Sequence, residues 1–100
     1  MSYRVLFQPR VRKDLKELYS YFSPNAGQRV ARAYVDDIID YCLALKTFPE
    51  RGTRRDDISP GLRLVGYRRK ATIAIRIDDD TVTILRVFHK GRDVSFPDND

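Results

Sequence analysis

The residues of this chain best suited to chemistry lie together near its C-terminus, in the stretch RVFHKGRD. His89 is the single histidine, and it stands where an apolar segment passes into a basic turn, between Arg86 and Arg92. An imidazole titrates near neutral pH and can move protons, and guanidinium groups can hold an anion. The same residues would suit a docking surface or the plain end of a strand, because no carboxylate is obviously paired with His89.

A second basic feature comes from arginines on neighbouring predicted strands. Arg63, Arg76 and Arg86 would form a stripe if they shared one sheet face, close to the basic turn 68–70. Like charges that face each other across strands repel unless an anion or an acidic partner covers them. We expect a docking surface here. Direct nucleic-acid binding is not expected, because no aromatic residue in this half of the chain alternates with the cations.

Other candidate sites have ordinary structural explanations. The acidic run DDD at 78–80 is typical of a turn, where aspartate is favoured for local hydrogen bonding. Cys42 lies on the apolar side of a predicted helix, as a core residue would. One histidine, one cysteine and scattered aspartates do not have the spacing of metal ligands. We therefore predict neither a metal site nor a cofactor.

Hydrophobic periodicity predicts the elements that position these residues. Two amphipathic stretches with apolar positions three and four residues apart indicate helices, and SPNAG at 23–27 is expected to break the chain between them. Alternating apolar residues joined by short turns indicate antiparallel strands. The predicted order is β-α-α-β-β-β, an α+β fold with a helical hairpin packed on a small antiparallel sheet. The elements are a strand at 2–7, a helix from Pro9, a helix at 28–47, a loop at 48–61, and strands at 62–67, 71–77 and 81–88.

Length and composition are those of one small domain with surplus positive charge. The 100 residues, 42% of them hydrophobic, carry a net charge of +5, and we expect a single domain over 1–100 with an acidic tail at about 93–100. No apolar run approaches the ~18 residues of a membrane span. A lone cysteine cannot form an internal disulfide, and no secretory signal is visible. These features favour a cytoplasmic protein.

Three segments together resemble the RelE/ParE superfamily of bacterial type II toxins, and within it the ParE-like branch. They are YRVLFQPRVRKDLKELYSYF, ALKTFPERGTRRDDISPGLRLV and IRIDDDTVTILRVFHKGRD, in which the Arg-Val-x-His followed by Arg-Asp is the most specific piece. The resemblance implies a RelE/ParE-like fold and a small toxin neutralised by a co-expressed ParD-like antitoxin. It also implies that DNA gyrase is the target and is inhibited by binding, without an established catalytic centre.

The antitoxin expected from this resemblance gives the predicted helices a role. The second helix offers more apolar surface than one sheet face can cover, so an antitoxin helix could lie in the groove between the two helices. An acidic partner would also meet the arginine stripe. The residues predicted to bind the target or the antitoxin are Arg63, Arg68, Arg69, Arg76, Arg86, His89, Arg92, Tyr34, Ile38 and Phe96.

The alternative within the superfamily is a ribosome-dependent mRNA endonuclease of the RelE type. Cutting RNA through its 2′-hydroxyl needs a base, an acid and positive charge on the phosphate, which His89, Arg68, Arg86 and Arg92 could supply. However, no tyrosine lies in the C-terminal segment, where many RNA-cutting relatives carry one. A third possibility is a toxin-fold protein that serves only in repressor complexes with its antitoxin. Because fold alone does not decide function, the prediction of a non-enzymatic toxin rests on these residues.

Overall fold

The computed structural model describes residues 2–89 and has the predicted α+β architecture, two helices packed on a five-stranded, mostly antiparallel sheet. The predicted residues Arg92 and Phe96 and the acidic tail lie outside the described residues. None of the helices within 2–89 is long and apolar enough to cross a membrane. The elements are β1 (Arg4–Phe7), α1 (Pro9–Ala26), α2 (Gln28–Ala44), β2 (Thr53–Arg54), β3 (Leu62–Tyr67), β4 (Ala71–Asp78) and β5 (Thr81–His89).

The sheet has the strand order β1-β5-β4-β3-β2. The last three strands form the predicted antiparallel meander, while β1 pairs in parallel with β5, from Arg4 opposite Thr81 to Phe7 opposite Ile84. The short edge strand β2 lies inside the segment predicted to be a loop. Its approach to β3 requires a glycine, because a Cβ on Gly52 would collide with the backbone of Leu64.

The two helices meet with a single residue between them, which corrects the predicted break at 23–27. Helix α1 continues through Pro24 to Ala26, and Gly27 ends it with φ 93°. A proline in the last turn removes only one hydrogen bond of its own, and the Gly27 N–H still donates to the Ser23 carbonyl at 2.9 Å. Glycine adopts positive φ without steric cost, so the chain reverses at once into α2.

One hydrophobic core lies between the helices and the sheet. Its members come from the predicted apolar stripes of both helices and the alternating positions of β3, β4 and β5, as their periodicity requires. Burying each large aliphatic side chain contributes about 1.5–3 kcal/mol. Cys42 is part of this core, and burial raises the pKa of its thiol to about 12. The cluster consists of Val11, Leu18, Ile38, Cys42, Leu45, Val65, Tyr67, Ala71, Ile73, Ile75, Val82, Ile84 and Val87.

A buried ion pair attaches α1 to the last strand. Arg86 donates from Nε and Nη2 to the two carboxylate oxygens of Asp14, at 2.8 and 3.1 Å. The exposed fractions of the two side chains are 9% for Arg86 and 0% for Asp14. The guanidinium also lies over the Phe88 ring, 4.6 Å from its centroid. Such two-point geometry satisfies both charges away from water.

Asp14 also completes the hydrogen bonding of the sheet where β1 ends. The last backbone hydrogen bond between the β1 segment and β5 is donated by the Gln8 N–H to the Ile84 carbonyl, at 2.9 Å. Beyond it the chain turns into α1, and the Val87 N–H donates to Asp14 Oδ2 at 3.0 Å instead. Buried backbone groups must find such partners. One aspartate on α1 thus replaces the missing length of β1.

Replacing Asp14 with alanine should severely destabilise the fold. The substitution leaves a guanidinium and a backbone N–H buried without partners, and breaking a buried pair in this way costs about 3–5 kcal/mol. Urea denaturation of the Asp14→Ala variant measures this loss. The exposed pair of Asp57 with Arg55 supplies the control, because Asp57→Ala should leave the free energy of unfolding nearly unchanged.

A double variant separates the charge effect from a packing effect. In Asp14→Leu with Arg86→Met both charges are gone, so most of the stability lost in Asp14→Ala should return. If Asp14→Ala unfolds at the same urea concentration as the wild-type chain, the pair does not stabilise the fold as described.

Candidate functional site

An open groove runs between the outer faces of α1 and α2 and reaches the end of β1. Its volume is about 1100 Å³. Apolar side chains spaced three and four residues apart on each helix form the floor, which includes Leu15, Tyr19, Val35 and Ile39. These positions remain half-buried, because the sheet covers only the opposite faces of the two helices. We call this cavity the interhelical groove.

The rim of the interhelical groove is mainly basic. Arg12 and Lys16 of α1 and Arg32 of α2 line it, against the single acid Asp36. Arg12 and Lys16 are one turn apart and therefore lie side by side on α1. An apolar floor with a cationic rim suits an amphipathic segment that carries acidic residues.

Two residues predicted to bind the antitoxin do not line this groove. Ile38 is fully buried against the sheet, so no partner can reach it. Tyr34 faces the core side as well, with its ring 5.0 Å from that of Phe22 and 5.8 Å from that of Tyr67. The groove is lined instead by Val35 and Ile39, one position further on and about 100° around the helix.

The predicted arginine stripe does not form on the sheet. Arg63 lies opposite Ile75 and Arg76 opposite Leu62. Because residues directly opposite share a face and successive residues alternate, Arg63 and Arg76 point to opposite sides. Arg86 is only 7% exposed and is held by Asp14, so it cannot belong to a docking surface either.

Arg63 and Arg76 both contact the long connection between α2 and β3. Arg76 donates to the Ser59 hydroxyl at 2.8 Å and to the Pro60 carbonyl at 3.2 Å. Arg63 donates to the Arg51 carbonyl at 3.4 Å. These bonds hold an irregular segment against the sheet, which is a structural role for two residues predicted to bind a partner.

The turn between β3 and β4 carries the other predicted cations. Arg68 and Arg69 are its central residues, both with positive φ, 49° and 57°, and Lys70 N–H closes the turn on the Tyr67 carbonyl at 3.0 Å. The Arg68 guanidinium lies 5.1 Å from the Tyr67 ring centroid and 3.6 Å from a carboxylate oxygen of Asp37. Both Arg68 and Arg69 are exposed, so a partner can reach them.

His89 lies beside this turn because it pairs with Ala71, the first residue of β4. Its ring stacks on Tyr21 of α1, with centroids 4.2 Å apart and planes 18° from parallel. Of the four residues proposed for RNA cleavage, the structure therefore places Arg68 and His89 at the same end of the sheet. Arg86 is held by Asp14, and Arg92 lies beyond the described residues.

Asp14 and Tyr21 are the residues that sequence analysis missed. Asp14 is one of several charged residues on α1, and nothing in its local spacing distinguishes a buried carboxylate from a solvated one. Tyr21 lies next to the apolar stripe that ends at Phe22, and it is 51% exposed. A large aromatic residue outside the apolar stripe of its helix is the one local signal that could have indicated a surface role.

The Tyr34 hydroxyl should be dispensable for stability. It is buried and, within residues 2–89, it has no hydrogen-bond partner, so Tyr34→Phe removes a desolvated group without breaking a bond. The free energy of unfolding should stay the same or rise by up to about 1 kcal/mol. A clear loss of stability in urea denaturation would mean that the hydroxyl has a partner.

Ionisation of the same hydroxyl should make the stability of the fold depend on pH. Burial, and secondarily the charge of Tyr67, raises the pKa of Tyr34 to about 12, against a usual value of 10.0. The protonated form is favoured in the folded state, so its contribution to stability is complete below about pH 10 and falls as the pH rises towards 12. Titration of tyrosinate absorbance in the native chain should show a late step that Tyr34→Phe removes.

A helical hairpin on a mostly antiparallel sheet is the fold expected from the resemblance to the RelE/ParE superfamily of toxins. The family model described as "ParE toxin of type II toxin-antitoxin system, parDE" matches residues 5–94. This chain therefore belongs to the ParE toxin family of type II toxin–antitoxin systems. Toxin ParE3 of Caulobacter vibrioides is 31% identical over 84 residues, which cover 84% of this chain and 83% of that relative.

Solved structures agree on the fold. A chain of the chromosomal ParDE toxin–antitoxin system from P. aeruginosa superposes with a TM-score of 0.75 at 21% identity, over 89% of this chain and 97% of that one. A conserved hypothetical protein of Helicobacter pylori, HP0894, gives a TM-score of 0.51 at 12% identity, over 89% of this chain and 94% of that one. The predicted membership of the ParE-like branch is confirmed by the family match and by the ParE3 relative, and these structures show the same fold.

Proposed function

We propose that this toxin inhibits DNA gyrase by binding, without catalysis of its own, and that a ParD-like antitoxin neutralises it in the cytoplasm. ParE-like toxins, which the sequence resembles, are poisons of gyrase. The observation that carries the choice of binding over RNA cleavage is the Asp14–Arg86 pair. Arg86 is one of the four residues proposed for cleavage, and its Nε and Nη2 groups are already bonded to a buried carboxylate.

The interhelical groove is the proposed site of the antitoxin. Its apolar floor and basic rim fit one side of an amphipathic acidic helix, which would cover Tyr19, Val35 and Ile39 and place carboxylates near Arg12 and Lys16. The groove continues to Phe7 and Gln8. There the edge strand β1, with Leu6 49% and Phe7 38% exposed, could accept an extended segment of the same partner.

A groove variant tests this site. Tyr19 lines the groove but is not part of the core cluster, so Tyr19→Ala should weaken antitoxin binding by about 2 kcal/mol, roughly 30-fold, while the fold survives. Isothermal titration of the variant with the co-expressed antitoxin measures the change. Val30→Ala is the matched control, because Val30 is an exposed apolar residue of α2 outside the groove.

If Tyr19→Ala binds as tightly as the control variant, the antitoxin does not use the interhelical groove. Urea denaturation of Tyr19→Ala should be recorded as well, because a folding defect in this variant would lower its affinity without the loss of any contact in the groove.

The proposed target is tested by inducing the toxin without antitoxin and following DNA and mRNA in the same cells. Gyrase poisoning should produce cleavage-trapped DNA and an SOS response while transcripts stay intact. Purified toxin should also inhibit supercoiling by gyrase, and His89→Ala should weaken this inhibition at most, without abolishing it, because a binding mechanism needs no proton transfer from His89.

The second candidate, a ribosome-dependent mRNA endonuclease, has one observation in its favour. Tyr21 stacks on His89 and so brings to the end of β5 the kind of side chain that the C-terminal segment lacks. Rapid cleavage of translated transcripts with intact DNA, abolished in His89→Ala, would establish this reading and overturn gyrase inhibition.

A further inference from the structure

One end of the sheet combines exposed cations with an exposed tyrosine that stacks on a half-buried histidine. The β3–β4 turn contributes Arg68, Arg69 and Lys70, and next to it Tyr21 stacks on His89. We call these five residues the basic-aromatic corner. The corner lies at the far ends of α1 and β5, while the interhelical groove reaches the end of β1 that leads into α1.

We propose that the basic-aromatic corner binds single-stranded DNA, with phosphates on the three cations and a base against Tyr21. Positive charge along the backbone and an aromatic platform for bases are the two elements of single-strand recognition. The structure brings them together from distant parts of the chain, so that Tyr21 of α1 supplies the aromatic residue that the C-terminal half lacks beside its cations.

The turn geometry supports a role for the two arginines themselves. Positive φ at both central residues of a tight turn favours Asn-Gly or Gly-Gly, yet this turn carries Arg68 and Arg69 at 49° and 57°. Non-glycine residues persist in such conformations at a cost in backbone energy, most often where function requires them. Here both side chains stand exposed at the tip of the sheet.

Within the described part of the chain these cations have few direct partners, although Asp37 and Asp40 lie beside Arg68. Arg68 contacts Asp37 at 3.6 Å, but both side chains are about half exposed, so this contact can exchange for a phosphate. Arg69 makes no hydrogen bond or ion pair with residues 2–89. The Lys70 ammonium lies 5.7 Å from the Tyr34 ring centroid and 6.0 Å from that of Phe22, which positions it without removing its charge.

The aromatic pair favours a nucleic acid over an acidic peptide. Tyr21 is 51% exposed although one face of its ring lies on His89. A peptide rich in carboxylates would be satisfied by the cations alone, whereas a base gains by stacking on the tyrosine. The choice of DNA over RNA rests on the proposed function, because gyrase holds DNA.

Fluorescence anisotropy with a labelled oligothymidylate of about 12 nucleotides tests the proposal, using toxin free of antitoxin. With three phosphate contacts, the logarithm of the binding constant should fall with the logarithm of the salt concentration with a slope of about −2. In Arg69→Gly the magnitude of this slope should be smaller by about 0.7. Glycine suits the positive φ of that position, so this variant keeps its fold. The control is Arg4→Ser, an exposed arginine beside Thr81, at the opposite end of β5, which should bind as the wild type does.

The contribution of stacking is tested at Tyr21. Tyr21→Ala should lower the affinity for the oligothymidylate by roughly 5- to 150-fold, while Tyr21→Phe, which keeps the ring, should stay close to the wild type. Urea denaturation of both variants confirms that they are folded.

Four results would overturn the proposal. They are the absence of binding, equal losses in Arg69→Gly and Arg4→Ser, competition by polyglutamate at the same charge concentration as oligothymidylate, and tighter binding of oligouridylate. The third would assign the corner to an acidic protein and the fourth to RNA. Because the assay contains no gyrase, failure here leaves gyrase inhibition as a separate question, decided by the supercoiling assay.

Discussion

The Asp14–Arg86 pair constrains the rest of the structure. It fixes both the rotation of α1 about its axis and its position along β5, because a carboxylate that bonds a guanidinium and the Val87 N–H together tolerates neither a turn nor a slide. If both charges can be removed together with little loss of stability, as expected for the double variant, the role of the pair is to select this one packing of α1 on the sheet. Once α1 is fixed, Leu15 and Tyr19 must face outward, and α2, joined to α1 through Gly27 alone, completes the groove.

The surplus positive charge of this chain has more than one role. Three of the arginines have internal partners. Arg63 and Arg76 hold the connection between α2 and β3 against the sheet, and Arg86 holds α1 against it. Exposed cations lie at several other places, among them the rim of the interhelical groove and the β3–β4 turn. The net charge of +5 therefore does not locate a binding surface, whereas the distribution of the exposed cations marks the interhelical groove and the basic-aromatic corner as candidates.

Periodicity was sufficient to predict the helices, the meander and the core, because 3.6-residue and two-residue repeats report which residues face inward. Periodicity was not sufficient to predict which residues form the rim of the interhelical groove and the basic-aromatic corner. The bulge that skips Leu85, so that Ala74 pairs with Arg86 but Ile75 pairs with Ile84, changes which side chains of β5 share a face. No local pattern indicates that Asp14 and Arg86, 72 residues apart, will meet, or that Tyr21 will reach His89. On α2, every side is partly apolar, and only the packed structure distinguishes Ile38 from Ile39.

The parallel pairing of β1 with β5 sets a limit on when this toxin can become toxic. The first strand to be synthesised has no partner until the last one exists. Arg86 follows Asp14 by 72 residues, which take about 4–14 s to translate at ~5–20 residues per second. Until then neither the groove floor nor the corner is assembled. The two proposed binding surfaces are therefore absent from the unfinished chain and appear only when its synthesis is nearly complete.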